Sequence, residues 1–423
     1  MLRLPKKLVK ELAVTLEGVL APLAIGLAKK VGIIRPKNNS VIILPCCPLE
    51  QGSLGDLTAL ESIAYALKKD GYEHVDILRF GPSTASVSIS GIDNEITPRN
   101  DLRWHRIGGR AKVVLILSTY ESFYAWGADV LDGAYGSSVP LAIITTVRSA
   151  SRAGLDTGIL GFSWGADPAP EVCQAIACLK HVKYYVREPF SMVRFEKRTG
   201  RSAIQVADVA FLFHPSETSH GIQPIVRWLE EQSNSSYIVL GVNLSLFALG
   251  IQNESQARGK IQMLAEALDG VKTSIPNLKV LPFPHDIRES SKNIGDADLA
   301  EFLRLALQDL SFGSIPSFPK SLCPSDVDCL ARRCDAIFTG RMHLSIAALR
   351  NCVPVLCMTY QDKFEGMLKL FDLEDCALRE DEFVSETDLG KRIADLITER
   401  KVLSERIRDR LPYVRALAER NFT

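Results

Sequence analysis

The sequence predicts an α/β fold of two domains, each a mostly parallel sheet covered by helices, with a cleft between them. Three observations carry this. Short apolar runs alternate with helix-period stretches along most of the 423 residues, the grammar of parallel strands buried on both faces. A polar segment at 214–235, with Pro215, Gly221, Pro224 and several serines, interrupts that grammar, and the same grammar restarts after it. The length also suits two domains at about 100–200 residues each. The resulting boundaries are a helical extension at 1–35, a first domain at 36–222 and a second at 223–423.

Each element follows from its own residues. Residues 12–28 are apolar but short for a membrane span, and Glu17 interrupts them. The first reading is a helix packed on its own domain. The second, given Lys6, Lys7 and Lys10 in front, is an interfacial helix in peripheral contact with a membrane. A strand is expected at 41–45 (VIILP), then a Gly-containing turn at 52–56 (GSLGD), a helix at 57–69 and a strand at 75–80. The apolar runs 113–118 (VVLILS) and 140–146 (PLAIITT) read as the third and fourth strands, and runs at 182–187 and 204–213 follow. The second half reads as strand 237–241, helix 256–269, strand 278–283, helices 296–310 and 325–333, strand 335–339, helix 343–350, strand 353–358 and a charged helical end at 386–420. Ligands in such sheets sit at the carboxyl ends of the strands.

Composition narrows the function. Lys plus Arg and Asp plus Glu each number 50, so the basic footprint of a nucleic-acid binder is missing. The ten cysteines form no CxxC pairs and the seven histidines no HExxH, so no metal site is expected. Scattered thiols suit a reducing, cytoplasmic compartment. Five sequons, at Asn38, Asn234, Asn243, Asn253 and Asn421, leave a Golgi or endoplasmic-reticulum lumen as the alternative in a eukaryote. No cleavable signal peptide is expected. No GxGxxG follows the first strand and no Walker A motif is present.

The chemistry concentrates at Arg341 and His343. They follow an apolar strand and Thr339-Gly340 and open the helix MHLSIAAL. A helix start offers free N–H groups to an anion, Arg341 adds a planar, permanently charged fork, and His343 carries a proton near neutral pH. Lys363, beyond the next strand, adds a second positive group at the same strand-end face.

The string CDAIFTGRMHLSIAALRNCVPVLCMTYQDKFEGMLKLFDL at 334–373 resembles the polysaccharide pyruvyl transferase family, with Arg341, His343, Pro354, Tyr360 and Lys363 in the family's places. GSLGD at 52–56 is similar to its Gly-Asn-x-Gly-Asp turn, with Ser53 where Asn is usual. YYVREPFSMVRFEKRTG at 184–200 supplies Arg187 and Ser191, with Glu188 where Asp is more usual. QVADVAFLF at 205–213 supplies Asp208 and FPHD at 283–286 supplies His285. The shared order of these segments spans about residues 40–375.

The resemblance implies two Rossmann-like domains of the GT-B kind with the active site in their cleft. It implies transfer of a pyruvyl group from phosphoenolpyruvate to a sugar, glycolipid or polysaccharide as a ketal with release of phosphate, in the assembly of an exopolysaccharide or other glycan. Phosphoenolpyruvate is a co-substrate, and no cofactor is implied. Arg187 and Arg341 would clamp the donor, with Lys363, Ser53 and Gly55 as further binding residues. His343 would transfer a proton, and Asp56 or His285 would serve the sugar hydroxyls.

Three other readings compete. A nucleotide-sugar glycosyltransferase of the same fold would show a similar anion site. A non-catalytic protein could keep the fold without the chemistry. GFSWG at 161–165 matches a nucleophile elbow by letter, with Ser163, Asp286 and His343 as its triad, but two prolines follow it where a helix is needed. The rest of that reading is a glycine-rich loop at a strand end. Trp126 and Trp164 are expected to pack rather than to stack on a sugar.

Overall fold

In the computed structural model, the described residues are 20–46, 52–79, 88–96, 109–288, 294–310, 312–359, 362–379 and 385–423. Residues 12–19 of the N-terminal apolar stretch and Tyr360 of the family motif lie outside them. The chain forms two compact units. The first comprises 1–49, 63–209 and 419–423, and the second 50–62 and 210–418. The sequence grammar places the boundary after 222. The structure divides the chain after Val209 and gives the turn at 52–56 to the second unit.

The first unit holds a seven-stranded parallel sheet in the order β3-β2-β1-β4-β5-β6-β7. Its strands are β1 (Ser40–Leu44), β2 (His74–Leu78), β3 (Asn94–Ile96), β4 (Ser122–Trp126), β5 (Asp156–Phe162), β6 (Lys183–Val186) and β7 (Ile204–Gln205). Residues 20–30 form helix α1, whose Lys29 Nζ donates to Tyr120 O at 2.9 Å. Helices α2 (Leu54–Lys69), α3 (Gly109–Leu117), α4 (Ser138–Arg152), α5 (Pro170–Ala177) and α6 (Pro189–Thr199) connect the strands.

Two expected strands are helices. VVLIL lies in α3, and PLAIITT lies in α4, where Ile143, Ile144, Val147 and Ala150 face inward at helical spacing. A short apolar run cannot distinguish a buried strand from one side of a helix. The true strands read poorly. β4 is SFYAW, and β5 is DTGILGF with two glycines. Gly158 is required by its neighbours, because a Cβ there would lie 3.1–3.3 Å from the rings of Tyr124 on β4 and Tyr185 on β6. The run at 204–213 pairs only at Ile204–Gln205 and then turns into a 3₁₀ segment.

The second unit holds a five-stranded parallel sheet in the order β12-β11-β10-β8-β9. Its strands are β8 (Ile238–Asn243), β9 (Leu278–Pro282), β10 (Ala336–Thr339), β11 (Val355–Thr359) and β12 (Ala377–Arg379). Helices α7 (Gln223–Asn234), α8 (Glu254–Ser274), α9 (Asp296–Asp309), α10 (Pro324–Ala331), α11 (Met342–Arg350), α12 (Lys363–Lys369) and the long α13 (Glu386–Glu419) complete it. Here every expected strand is a strand.

The order of strand addition reverses between β1 and β4 in the first unit and between β8 and β10 in the second, while every strand stays parallel. Crevices at the carboxyl ends of strands beside such reversals are where open α/β sheets take ligands.

Candidate active site

The reversal point of the second sheet carries a connected polar network. Asn243 ends β8 and Thr339 ends β10, and Thr339 Oγ1 donates to Asn243 Oδ1 at 2.9 Å. Asn243 Nδ2 donates to Phe283 O, past the end of β9, at 2.9 Å and to Asp296 Oδ2 at 3.1 Å. Asp296 opens α9 and is buried. Three strand ends and one helix start are thus tied through three side chains, those of Asn243, Thr339 and Asp296.

Arg341 is built onto this network. Its backbone N–H donates to Thr339 Oγ1 at 3.0 Å, and it holds extended backbone as the residue before α11. Its Nε and Nη2 donate to the two oxygens of Asp296 at 3.1 and 2.6 Å, a fork-to-fork pair. Its Nη1 lies 3.6 Å from Asp286. The Asp296 side chain is 1% exposed and that of Arg341 24%, so a buried carboxylate grips the guanidinium from behind while part of it still meets solvent.

His285 and Asp286 follow β9. His285 is 4% exposed. Burial, reinforced by His343 and Arg341 nearby, pushes its imidazole down to about 3 against the smaller pull of Asp286. It therefore stays neutral at working pH. Burial alone would raise the Asp286 carboxyl, but hydrogen bonds from Arg288 and the charge of Arg341 outweigh it and hold it below the usual range. Those bonds run from Arg288 Nε at 2.9 Å and Nη2 at 2.6 Å.

The turn at 52–56 reaches the same place. Ser53 pairs with Asp286 in an antiparallel bridge, and Ile287 N donates to Gly52 O at 3.0 Å. Ser53 Oγ donates to Asp56 Oδ2 in the first turn of α2. A Cβ on Gly55 would lie 2.5 Å from His343 Nδ1 and 2.8 Å from its Cγ. The structure thus gathers His343, Arg341, His285, Ser53, Gly55 and Asp56 in one unit. Lys363, at the first position of α12, is 7% exposed and lies beyond the carboxyl end of β11.

Arg187 has a different setting. It follows β6 in the first unit, at 2% exposure. Its Nε donates to Ser163 Oγ at 2.7 Å and its Nη1 to Asp208 Oδ2 at 2.7 Å. Glu188 caps α6 by accepting from Ser191 N, and burial raises its carboxyl to about 7 against that bond and the charge of Arg187. GFSWG is no nucleophile elbow: β5 precedes Ser163, but the next helix starts only at Pro170, and the Ser163 hydroxyl accepts from Arg187. Trp126 and Trp164 are both fully buried. Asp296, Asn243 and Thr339 escape a reading of the sequence. An Asp in a helix first turn is ordinary dipole chemistry, and Asn243 reads only as a sequon.

A family model described as polysaccharide pyruvyl transferase matches residues 54–362. The chain belongs to the polysaccharide pyruvyl transferase family. It is thus a member of a transferase family of polysaccharide biosynthesis. A search of curated protein sequences returns no significant match. Among solved structures, Staphylococcus aureus MnaA with UDP aligns at TM-score 0.56 and 10% identity, covering 90% of this chain and 94% of that one. A Neisseria meningitidis UDP-GlcNAc 2-epimerase bound to UDP-GlcNAc aligns at 0.52 and 9%, covering 90% and 97%. Phytolacca americana UGT2 without ligand aligns at 0.52 and 13%, covering 90% and 95%. At these identities the likeness is one of fold: two Rossmann-like units of the GT-B kind.

Proposed function

We propose that the protein transfers a pyruvyl group from phosphoenolpyruvate to two hydroxyls of a sugar, forming a cyclic ketal and releasing phosphate. The observation that carries this reading is Arg341, held by buried Asp296 at the head of α11 with His343 two residues on. A small, dense anion calls for a fixed fork beside helix N–H groups, with a proton carrier at hand. His343 is assigned the proton that reaches the methylene carbon as one sugar hydroxyl adds to C2, with Asp56 taking that hydroxyl's proton. The second hydroxyl then displaces phosphate, which leaves with its proton. His285, buried and held neutral, is better suited to packing against this machinery than to carrying a proton. Lys363 is assigned to the donor's charge. Arg187, closed by Ser163 and Asp208, shapes its own strand ends rather than presenting a charge. The reaction calls for no cofactor beyond phosphoenolpyruvate.

The test is a thermal-shift titration of wild type and Arg341→Ala with phosphoenolpyruvate, UDP, GDP and inorganic phosphate. A ligand at about 100 times its Kd stabilises by about 2.7 kcal/mol. The expected result is a shift with phosphoenolpyruvate that disappears in the variant. A shift with a nucleotide and none with phosphoenolpyruvate would move the protein to the nucleotide-sugar reading.

For location we propose the cytoplasm. The nine described cysteines are all free thiols. Two of the five sequons are buried side chains in use: Asn243 in the network above, and Asn421, which accepts from Gly161 N and donates to Ala207 O. Among the described residues no helix is long and apolar enough to cross a membrane. The outer side of α1 exposes Leu20, Leu23 and Leu27, which supports a peripheral lipid contact. Co-flotation with anionic vesicles, lost in Leu23→Glu, would test it.

A further inference from the structure

We propose that Gly55 is a positioning residue that seats His343, letting the Nδ1 edge of its ring lie against the first turn of α2 and so fixing the imidazole for proton transfer. The kinetic part of this inference rests on the pyruvyl-transfer reading; the structural part does not.

Gly55 is the second residue of α2 and His343 the second residue of α11. The two helix starts therefore meet at one imidazole. A Cβ on Gly55 would stand 2.5 Å from Nδ1, 2.8 Å from Cγ and 3.0 Å from Cβ of His343. No side chain other than hydrogen fits there unless the ring moves. The backbone does not ask for glycine, because Gly55 lies in regular helix outside the left-handed region. Helix propensity argues for alanine at such a place. Packing against His343 is what makes the bare Cα necessary.

The seat is stitched in place on its other side. Ser53 bridges Asp286, Gly52 O accepts from Ile287 N, and Ser53 Oγ bonds Asp56. The turn that carries Gly55 is thus anchored to the segment that carries His285. Asp286, Arg341 and His285 face this region from the strand ends, and Ser53 and Asp56 from the turn into α2 and its first turn. The side of the ring with Nδ1 faces the first turn of α2.

The experiment is a double-mutant cycle on the full chain: wild type, Gly55→Ala, His343→Ala and the double variant. Thermal unfolding should show Gly55→Ala lowering Tm when His343 is present and leaving it unchanged or higher when His343 is alanine. Turnover, read as phosphate release from phosphoenolpyruvate with a panel of p-nitrophenyl glycosides, should fall at least 100-fold in kcat for Gly55→Ala. KM for phosphoenolpyruvate should stay within threefold, and the double variant should be no slower than His343→Ala. Equal Tm changes in both backgrounds, or a Gly55→Ala kcat within twofold of wild type, would overturn the proposal. A wild type that does not turn over phosphoenolpyruvate would overturn the functional reading, while the thermal cycle would still decide the seat.

Discussion

Arg187 and Arg341 are alike as sequence features. Each ends a strand next to a helix start, and each pairs with an aspartate that is 1% exposed. Their surroundings separate them. Arg187 is 2% exposed and satisfied by Asp208 and Ser163. It stands at the β6 end, away from the reversal of the first sheet. Arg341 is 24% exposed, stands at the reversal of the second sheet, and has Asp286, His285 and His343 about it. A buried, satisfied pair fixes structure, because losing one partner strands the other charge. A guanidinium held from behind by a buried carboxylate is oriented before any ligand arrives, and that preorganisation is what anion binding uses.

The widest divergence should come from truncating each arginine. Arg187→Ala should cost about 3–5 kcal/mol of stability, since Asp208 remains buried without its partner; denaturant unfolding reads this directly. A loss below about 1 kcal/mol would show that Arg187 is not the structural member of the pair. Arg341→Ala should instead lower kcat/KM about 10³-fold, or about 4 kcal/mol.

Asp296→Asn would sharpen the contrast. It keeps volume but removes the charge behind Arg341, so phosphoenolpyruvate efficiency should fall about 10–100-fold. A change of less than threefold would mean that the fork orients itself.

The two units should also respond to pH in opposite senses. Folded His285 takes its proton only near 3, whereas an unfolded histidine takes it near 6.5. The unfolded state binds more protons between those values, so stability falls as pH drops from 6.5 toward 3. Folded Glu188 keeps its proton up to about 7, whereas an unfolded glutamate loses it near 4.5. Here stability falls as pH rises from 4.5 toward 7. His285→Gln should flatten the acid slope and Glu188→Gln the neutral one. If each variant shifts stability by the same amount at every pH, neither group titrates across that window.

Legibility divides the same way as the arginines. Four of the second sheet's strands are legible as apolar runs at the expected places, while the short edge strand β12 (Ala377–Arg379) carries no such run. The first sheet is harder to read, and the apolar runs of α3 and α4 pass for strands, because its true strands draw on aromatic and glycine residues whose fit depends on adjacent strands, as at Gly158 between two tyrosines. In the site, strand-turn-helix punctuation was enough to single out Arg341 and His343. The partners were not legible. Asp296 is 45 residues from Arg341 in sequence, and no local pattern marks the acid that will grip it.

The sequence alone determined the α/β class, the family and the residue types of the candidate site. These rest on local periodicity and motif order, which a single strand of text preserves. Only the tertiary structure decided that Arg187 is closed by its neighbours while Arg341 is held partly open, and that Gly55 must be bare for His343. Burial and close approach are properties of distant segments brought together, and the chain carries no local record of them.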